Sequence, residues 1–340
     1  MRTLRFATLG AGFWSAYQLA AWREIAGVEC VAIYNRTLHK AEELARQAGI
    51  PRVYGDIEKL LAKESLDFVD IVTAAETHAP LTELAACRGL AVICQKPMAP
   101  SLEEASRMLA ICARAGVPLY IHENFRWQTP MRGLRSILDS GCIGSPFRAR
   151  IRMVSGFPIF ENQPFLRELE RFLLIDIGSH VLDLARFLFG DVARLACHTR
   201  RVRPDILGED VATLLLKTTR GTAVICELGY PGAPLENDCF PQTLAFIEGD
   251  RGSIELAPDY VIRITTSTGT EVRCFPPPRY AWADPAYAVA HASIVPCHAD
   301  LVAGLRGAHK PETTGADNYK TMRLVFAAYD SAASGETIRL

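Results

Sequence analysis

The chain has no excess of either charge. Its 37 Lys and Arg face 38 Asp and Glu, a formal net charge of −1. That removes the usual reason to expect nucleic acid or an anionic membrane as a partner. A signal-peptide pattern is also missing: Met1-Arg2-Thr3 leads straight into a strand-like run, without an apolar core and a cleavage site. No apolar stretch approaches the ~20 residues needed to span a bilayer. Ten cysteines are present, yet there is no C-x-x-C pair and no His/Cys spacing typical of a metal site, so no metal is expected. Several cysteines (Cys30, Cys94, Cys226) lie inside apolar runs and read as reduced core residues of a cytoplasmic protein. A zinc site is the minority alternative. No internal repeat is visible. What remains is 340 residues, 49% hydrophobic and 22% charged, enough for two domains with a core each.

The first 122 residues alternate. Strand-like runs stand at Arg5–Leu9, Glu29–Tyr34, Phe68–Val72, Ala91–Cys94 and Leu119–Ile121. Helical patterns lie between them, at Trp14–Glu24, His39–Ala48, Pro80–Arg88 and Leu102–Ala115. Such alternation predicts an α/β domain with a doubly wound parallel sheet. The texture changes after His122. A helix is expected near Met131–Asp139. β-Rich runs follow at Arg148–Val154, Val211–Lys217, Thr222–Leu228, Thr243–Glu248 and Val261–Thr266. Turn signals between them predict a large, mainly antiparallel open sheet in an α+β domain. Helices are expected near Leu174–Leu188, Ala292–Arg306 and Asp317–Ala333. The boundary is placed after residue 123, giving a nucleotide-binding domain over 1–123 and a substrate-binding, oligomer-forming domain over 124–340.

The stretch "RFATLGAGFWSAYQLAAW" joins a strand to a helix through Gly10-Ala11-Gly12. Gly10 permits a tight turn. Gly12 lets the backbone approach a pyrophosphate, which then rests on the amides of the helix N-terminus. The third glycine of such motifs is replaced by Ser15, small enough for close helix–strand packing. The plain alternative is a glycine-rich βα turn. The second strand ends in "AIYNRT", where Asn35 stands in place of a ribose-binding carboxylate. Asparagine does not repel a 2′-phosphate, and Arg36 with Thr37 would suit one, which tips this chemistry toward NADP. An exposed Arg36 stacked on adenine would serve either nucleotide.

"VICQKPMAPS" places Lys96 just after an apolar strand, at the carboxyl end of the sheet where ligands bind in such folds. A surface-loop lysine is the alternative. "LIDIGSHVLDLARFLFG" places Asp176, His180 and Asp183 at i, i+4 and i+7, one face of a half-buried helix. An Asp and a His so placed suit proton transfer. They would equally suit a helix-surface pair, or a core histidine satisfied by the aspartate.

Taken together, Gly10-Ala11-Gly12, "IVTAAETHAPL", "CQKP", "DIGSHVLDLARFLFG", "FIEGDRGSIEL" and the terminal "RLVFAAYDSAASGETIRL" resemble the Gfo/Idh/MocA family of sugar and inositol dehydrogenases over nearly the whole chain. The resemblance implies a catalytic trio of Lys96, Asp176 and His180. It implies cofactor contacts at Gly10, Gly12, Phe13, Trp14, Asn35, Arg36, Thr73, His78 and Lys96, and substrate contacts at Lys96, Asn124, Arg126, Asp176 and His180. It also implies a homodimer or homotetramer formed through the second domain's sheet. Two departures bear on the substrate. Gln95 stands where the family usually has Glu, which removes a charge next to Lys96. Glu170-Arg171-Phe172 replaces a frequent glycine triplet and is expected to narrow or reshape the substrate pocket. "HENFRW", "MVSGFPIFENQPFL" and "YAWADPAYAVAHASIVPC" are similar to a branch of the family that oxidises the branched pentose D-apiose at its anomeric carbon to a lactone with NAD.

The expected function is therefore NAD(P)-dependent hydride transfer from a small aldose, with both nucleotides open. Alternatives are an inositol or polyol dehydrogenase and a non-catalytic nucleotide- and sugar-binding regulator. His180 would accept the hydroxyl proton, since an imidazole ordinarily titrates near ~6.5. Lys96 would steady the developing alkoxide, and Asp176 would orient His180 or take a neighbouring hydroxyl. His291, His298 and Asp284, together with the aromatic residues Trp127, Phe157, Phe160 and Trp282, are candidate substrate contacts or core residues.

Overall fold

The structure, a computed structural model, describes residues 2–232 and 242–340. These residues group into two compact units. The first comprises residues up to Asn124, 281–283 and 294–320; the second comprises 125–280, 284–293 and 321–340.

In the first unit, strands β1 (Leu4–Leu9), β2 (Val28–Tyr34), β3 (Arg52–Tyr54), β4 (Phe68–Ile71), β5 (Ala91–Gln95) and β6 (Leu119–His122) alternate with five helices. These are α1 (Phe13–Trp22), α2 (Leu38–Ala48), α3 (Ile57–Lys63), α4 (His78–Ala86) and α5 (Leu102–Ala115). The sheet order is β3-β2-β1-β4-β5-β6 with every pair parallel. Helices covering both faces explain the unbroken apolar runs: all four residues of β4 are buried. Strand order reverses between β1 and β4, so their carboxyl ends open the crevice where ligands bind in such sheets. Helix α5 shows how local chemistry sets the limits. Ser101 accepts the Glu104 N–H at 3.1 Å at its start, and Gly116 closes it at φ +67.

The second unit contains α6 (Thr129–Asp139), β7 (Pro146–Val154), α7 (Ile159–Asn162), a π turn at Leu174–Gly178 and α8 (Ser179–Phe189). Then come β8 (Val192–Arg200), β9 (Val211–Thr218), β10 (Ala223–Gly229), β11 (Leu244–Gly249), β12 (Gly252–Leu256), β13 (Val261–Thr266) and β14 (Gly269–Cys274). Among the described residues the sheet order is β14-β13-β12-β11-β7-β10-β9-β8-β15, with β15 at Ile338–Arg339. Only β7 and β10 pair in parallel. Along β9 the residues Ala212, Leu214, Leu216 and Thr218 are buried, while Thr213, Leu215 and Lys217 face outward. Helix α8 packs on β7 and β10. The outward face carries the Arg148–Glu248 and Arg150–Glu227 ion pairs beside Leu215 and Phe246, which are 54% and 43% exposed.

Several details differ from the sequence reading. Residues 281–283 and 294–320 group with the first unit rather than with the remainder of 124–340. The cause lies in helix α9 (Ala288–Leu305) and in the segment that joins it to α10 (Gly315–Ser334). His298 stacks on Trp22 at 3.6 Å, and the Ile121 N–H donates to the Thr313 carbonyl at 2.9 Å. The segment Pro285–Leu305 does reach the length of a membrane span, and its most apolar 18 residues have a mean hydropathy of 1.3; 61% of that stretch is buried inside the protein, as befits a core helix. Strands β3, β8, β12, β14 and β15 and helix α3 have no clear sequence signal. They are short, or like β8 and β14 they expose charged and polar residues that interrupt the apolar pattern. All nine cysteines among the described residues are free thiols, and burial pushes those of Cys30, Cys197 and Cys226 up to about 12.

Candidate active site

Gly10 is demanded by the protein itself. Its φ is +122, and a Cβ there would lie 2.4 Å from the Val72 carbonyl oxygen. Gly12 is different. It is extended, exposed, and a Cβ would meet no atom within 4 Å. Neither conformation nor packing requires glycine here, so the free space at the start of α1 fits a ligand backbone laid against the turn. Buried Ser15 accepts the Gly12 N–H on its Oγ at 3.1 Å. The next side chains, Phe13, Trp14 and Tyr17, form an edge-to-face cluster with centroids 5.3–6.1 Å apart. The turn fits a pyrophosphate held at a helix N-terminus.

At the end of β2, Asn35 is already engaged. Its Oδ1 accepts the Ala11 N–H at 3.2 Å and its Nδ2 donates to the Thr37 carbonyl at 2.9 Å. The side chain thereby ties the glycine turn to the head of α2. Arg36 is exposed.

After β4, the Thr77 hydroxyl donates to the Thr73 hydroxyl at 2.7 Å, and Thr73 is half-buried. His78, expected to meet the cofactor, is buried. It is 1% exposed, and its ring lies between the loops that follow β4 and β5. Nε2 is 3.1 Å from the Thr73 carbonyl, and Nδ1 is 3.1 Å from that of Pro97 and 3.2 Å from that of Met98. Burial pulls its pKa down. His78 is thus a strut behind the loop that carries Lys96. Lys96 itself directly follows β5, half-buried, with its backbone N–H donating to Gln95 Oε1 at 2.9 Å, and its peptide bond to Pro97 is cis.

In the second unit, Asp176 sits on the π turn and His180 on the first turn of α8. The single α-helical face expected for Asp176, His180 and Asp183 therefore applies only from Ser179 onward. His180 is 3% exposed and lies flat on Phe125, ring centroids 3.7 Å apart. Asp183 is fully buried. It takes two bonds from Arg126, at 2.5 and 2.7 Å, and one from the Thr321 hydroxyl at 2.8 Å, with Arg186 at 3.6 Å. Arg126, expected to meet substrate, thus has its guanidinium committed to a buried pair. Asn124 is 7% exposed at the end of the first unit.

The remaining candidates divide. His298 is buried in the first unit, stacked on Trp22 and 2.7 Å from Gln18 Oε1, and burial drives its pKa well below the usual value. His291 accepts the Asp284 N–H at 3.1 Å and stacks on Tyr287; burial pulls it down to about 4. Trp282 donates to Glu24 at 3.0 Å, and Trp127 lies under Arg132 at 4.3 Å. Phe157 meets the edge of Tyr287, and Phe160 packs on Phe172. Phe172 is fully buried and Arg171 lies over the Tyr329 ring at 5.0 Å, so these two of the triplet's replacements go to the core and to α10.

Three groups carry no signal in the sequence. Asp70, in the middle of β4, is buried with the Trp22 indole donating to it at 2.8 Å, and burial raises it to about 7. Tyr230, at the end of β10, is 3% exposed; burial, then the nearby Asp176 carboxylate, raise its pKa well above normal. Glu209 accepts two backbone N–H groups ahead of Asp176. No local motif marks any of the three.

Residues 4–123 match the model of the oxidoreductase family, NAD-binding Rossmann fold, and residues 131–255 match the GFO/IDH/MocA C-terminal domain. The chain is 43% identical to the D-apiose dehydrogenase of Paraburkholderia graminis over 340 residues, covering all of this chain and 90% of that protein. It is 41% identical over 338 residues to the D-apiose dehydrogenase of Rhizobium rhizogenes, covering 99% and 98%. Its structure matches that of an oxidoreductase from Agrobacterium radiobacter in complex with NAD+, L-tartaric acid and magnesium. The TM-score is 0.97 at 41% identity, over 99% of this chain and 98% of that one.

Proposed function

The chain belongs to the GFO/IDH/MocA oxidoreductases, NAD-binding dehydrogenases of sugars, and within that family we propose that its substrate is D-apiose, oxidised at the anomeric carbon to the lactone. Similarity to D-apiose dehydrogenases along the whole chain carries this reading. The chemistry agrees with it: an anomeric carbon is a good hydride donor, because the ring oxygen stabilises the carbonyl that forms.

Residues 1–123 bind the dinucleotide, with the pyrophosphate at Gly10, Gly12, Phe13 and Trp14 and the ribose end near Asn35 and Arg36. NAD is the nucleotide we favour, since the Agrobacterium relative holds NAD+. The bound nicotinamide supplies the hydride acceptor. His180 takes the proton of the C1 hydroxyl, and the stacked Phe125 ring fixes its plane. Lys96 donates a hydrogen bond to the same oxygen as negative charge builds there. Asp176 orients His180 or accepts a neighbouring sugar hydroxyl. Residues 124–340 hold the sugar and form a homodimer or homotetramer through the open face of the nine-stranded sheet, where exposed Leu215 and Phe246 support such a contact. The cytoplasm is the expected location, where thiols stay reduced.

The test is a panel of D-apiose, other pentoses and myo-inositol with NAD and NADP, followed by absorbance of the reduced nicotinamide, with products identified by mass and NMR. A lactone from D-apiose, at a kcat/KM well above those for xylose and ribose, is the expected result. Preferential oxidation of myo-inositol to a ketone would refute the substrate and leave the family intact.

A further inference from the structure

The segment that carries Asp176 and His180 starts at Leu173, and the first amides of any helix lack partners within it. The usual remedy, a side-chain cap on the residue that begins the segment, is missing here. The remedy comes instead from two residues distant in sequence. Glu209 Oε1 accepts the Leu174 N–H at 2.9 Å, and its Oε2 accepts the Phe172 N–H at 3.3 Å. The Tyr329 hydroxyl donates to Glu209 Oε1 at 2.8 Å. The Glu209 carbonyl also takes the Leu173 N–H at 3.3 Å. The three successive amides of Phe172, Leu173 and Leu174 thus all end on Glu209, which Tyr329 holds from behind. A carboxylate at that end also suits the positive pole of the helix.

The clamp is built rather than incidental. A Cβ on Gly208 would lie 2.6 Å from the Leu169 carbonyl and 2.9 Å from Phe172 Cβ, so only glycine lets the Glu209 backbone come this close. On the other side, Asp210 is pinned by the Val202 and Arg203 N–H groups at 2.7 and 3.0 Å. Arg171 covers the Tyr329 ring. Beyond His180, Asp183 anchors α8 separately through Arg126 and Thr321. The clamp therefore governs only the turn on which Asp176 sits and from which His180 projects.

We propose that Glu209, seconded by Tyr329, is a positioning residue for the dehydrogenase reaction: it fixes the Leu174–Gly178 turn and through it Asp176 and His180. This rests on the assignment of those two residues to catalysis. The test compares Glu209→Ala, Glu209→Gln, Tyr329→Phe and His180→Ala in the full-length enzyme with NAD and the sugar that the unaltered enzyme oxidises fastest. Glutamine keeps one acceptor for Leu174 and Tyr329 but turns an amide toward Phe172, so it should rescue in part. Turnover per folded molecule should fall about 10- to 100-fold in Glu209→Ala, the scale of a small misplacement of reacting groups, and less in the other two clamp variants. The NADH dissociation constant should stay within about twofold, far from the tenfold that ~1.4 kcal/mol would cause. Amide exchange should rise over residues 172–178 and not over 181–189.

Normal turnover in Glu209→Ala while His180→Ala is inactive overturns the proposal and leaves the catalytic reading standing. A parallel loss of NADH affinity also overturns it. If Glu209→Ala does not fold, normal turnover in both Glu209→Gln and Tyr329→Phe is decisive against it. Near-normal turnover in His180→Ala, or no oxidation of any sugar by the unaltered enzyme, refutes the parent reading and this inference with it.

Discussion

Adding one methyl group at each of the two glycines of the nucleotide turn should have opposite consequences. At Gly10, alanine would hold φ near +122 and press its Cβ to 2.4 Å from the Val72 carbonyl oxygen. Backbone strain of ~1–3 kcal/mol and overpacking of similar size add to roughly 2–6 kcal/mol. At about 2–4 °C per kcal/mol, that is a drop in Tm of about 5 °C or more without any ligand. At Gly12, alanine meets nothing within 4 Å on an extended backbone. Alanine is the poorer N-cap by a few tenths to ~1 kcal/mol, and it restricts the unfolded chain by a similar amount, so the two effects nearly cancel. The free enzyme should melt within about 3 °C of the unaltered protein. The difference appears with NADH. At ~100 times its dissociation constant a ligand stabilises by about 2.7 kcal/mol. A methyl group in the space left for the phosphates should weaken binding at least about tenfold, removing ~1.4 kcal/mol of that protection. Thermal melts with and without NADH, beside a fluorescence titration, measure both quantities. Full protection of Gly12→Ala by NADH would refute the reasoning, as would a free-enzyme melt as depressed as that of Gly10→Ala.

Replacing His180 by Ala should lower turnover ~10²–10⁴-fold with nucleotide binding retained, and Lys96→Ala should also lower turnover; steady-state kinetics with NADH titration checks both, and a Lys96 effect confined to nucleotide affinity removes it from the chemistry. Asn35→Asp should shift kcat/KM toward NAD over NADP by about tenfold or more, because a carboxylate repels a 2′-phosphate; it also loses the donor to the Thr37 carbonyl, so a small fall in Tm is expected beside the shift. An unchanged ratio would mean that residue 35 does not face the ribose. Asp70 has a folded-state pKa of about 7, above its unfolded value of 3.8, so its contribution is fully present below that unfolded value and is lost as pH rises through 7. Asp70→Asn keeps an acceptor for Trp22 and should gain on the unaltered protein by on the order of 2–3 kcal/mol between about pH 5 and pH 8. Urea unfolding of both proteins across that range reads the difference directly, free of the buried histidines common to both, and a flat difference means that Asp70 is not the titrating group.

The parallel half of the fold is legible because its signals are local. A strand buried on both faces is an apolar run, and a helix such as α5 carries its own start at Ser101 and its own stop at Gly116. The second unit is harder to read. Its strands bury only one face, and β8 has just Val192, Leu195 and Cys197 inside among charged neighbours. The return of residues 294–320 to the first unit has no local sign at all. His298 becomes a core residue through Gln18, which lies 280 positions away.

The same division separates the groups proposed to do chemistry from those that hold them. Lys96, Asp176 and His180 stand out because reactivity belongs to the residue type and because motifs place it at fixed offsets. Their supports do not. The family resemblance implies a cofactor contact at His78, and its burial turns both ring nitrogens toward carbonyls of two loops. The family resemblance implies a substrate contact at Arg126, and Asp183, 57 positions on, takes two of its N–H groups. Glu209 carries no sequence signal; its partners are 35 and 120 positions distant. A charged side chain near a catalytic motif is thus open to two fates. Which one it meets depends on whether a buried counter-group of complementary geometry lies opposite it in the fold. Where one does, leaving the pair unmade would strand a buried charge at a cost of several kcal/mol, and the structural role prevails. Asp183 takes Arg126 and Arg186 in this way.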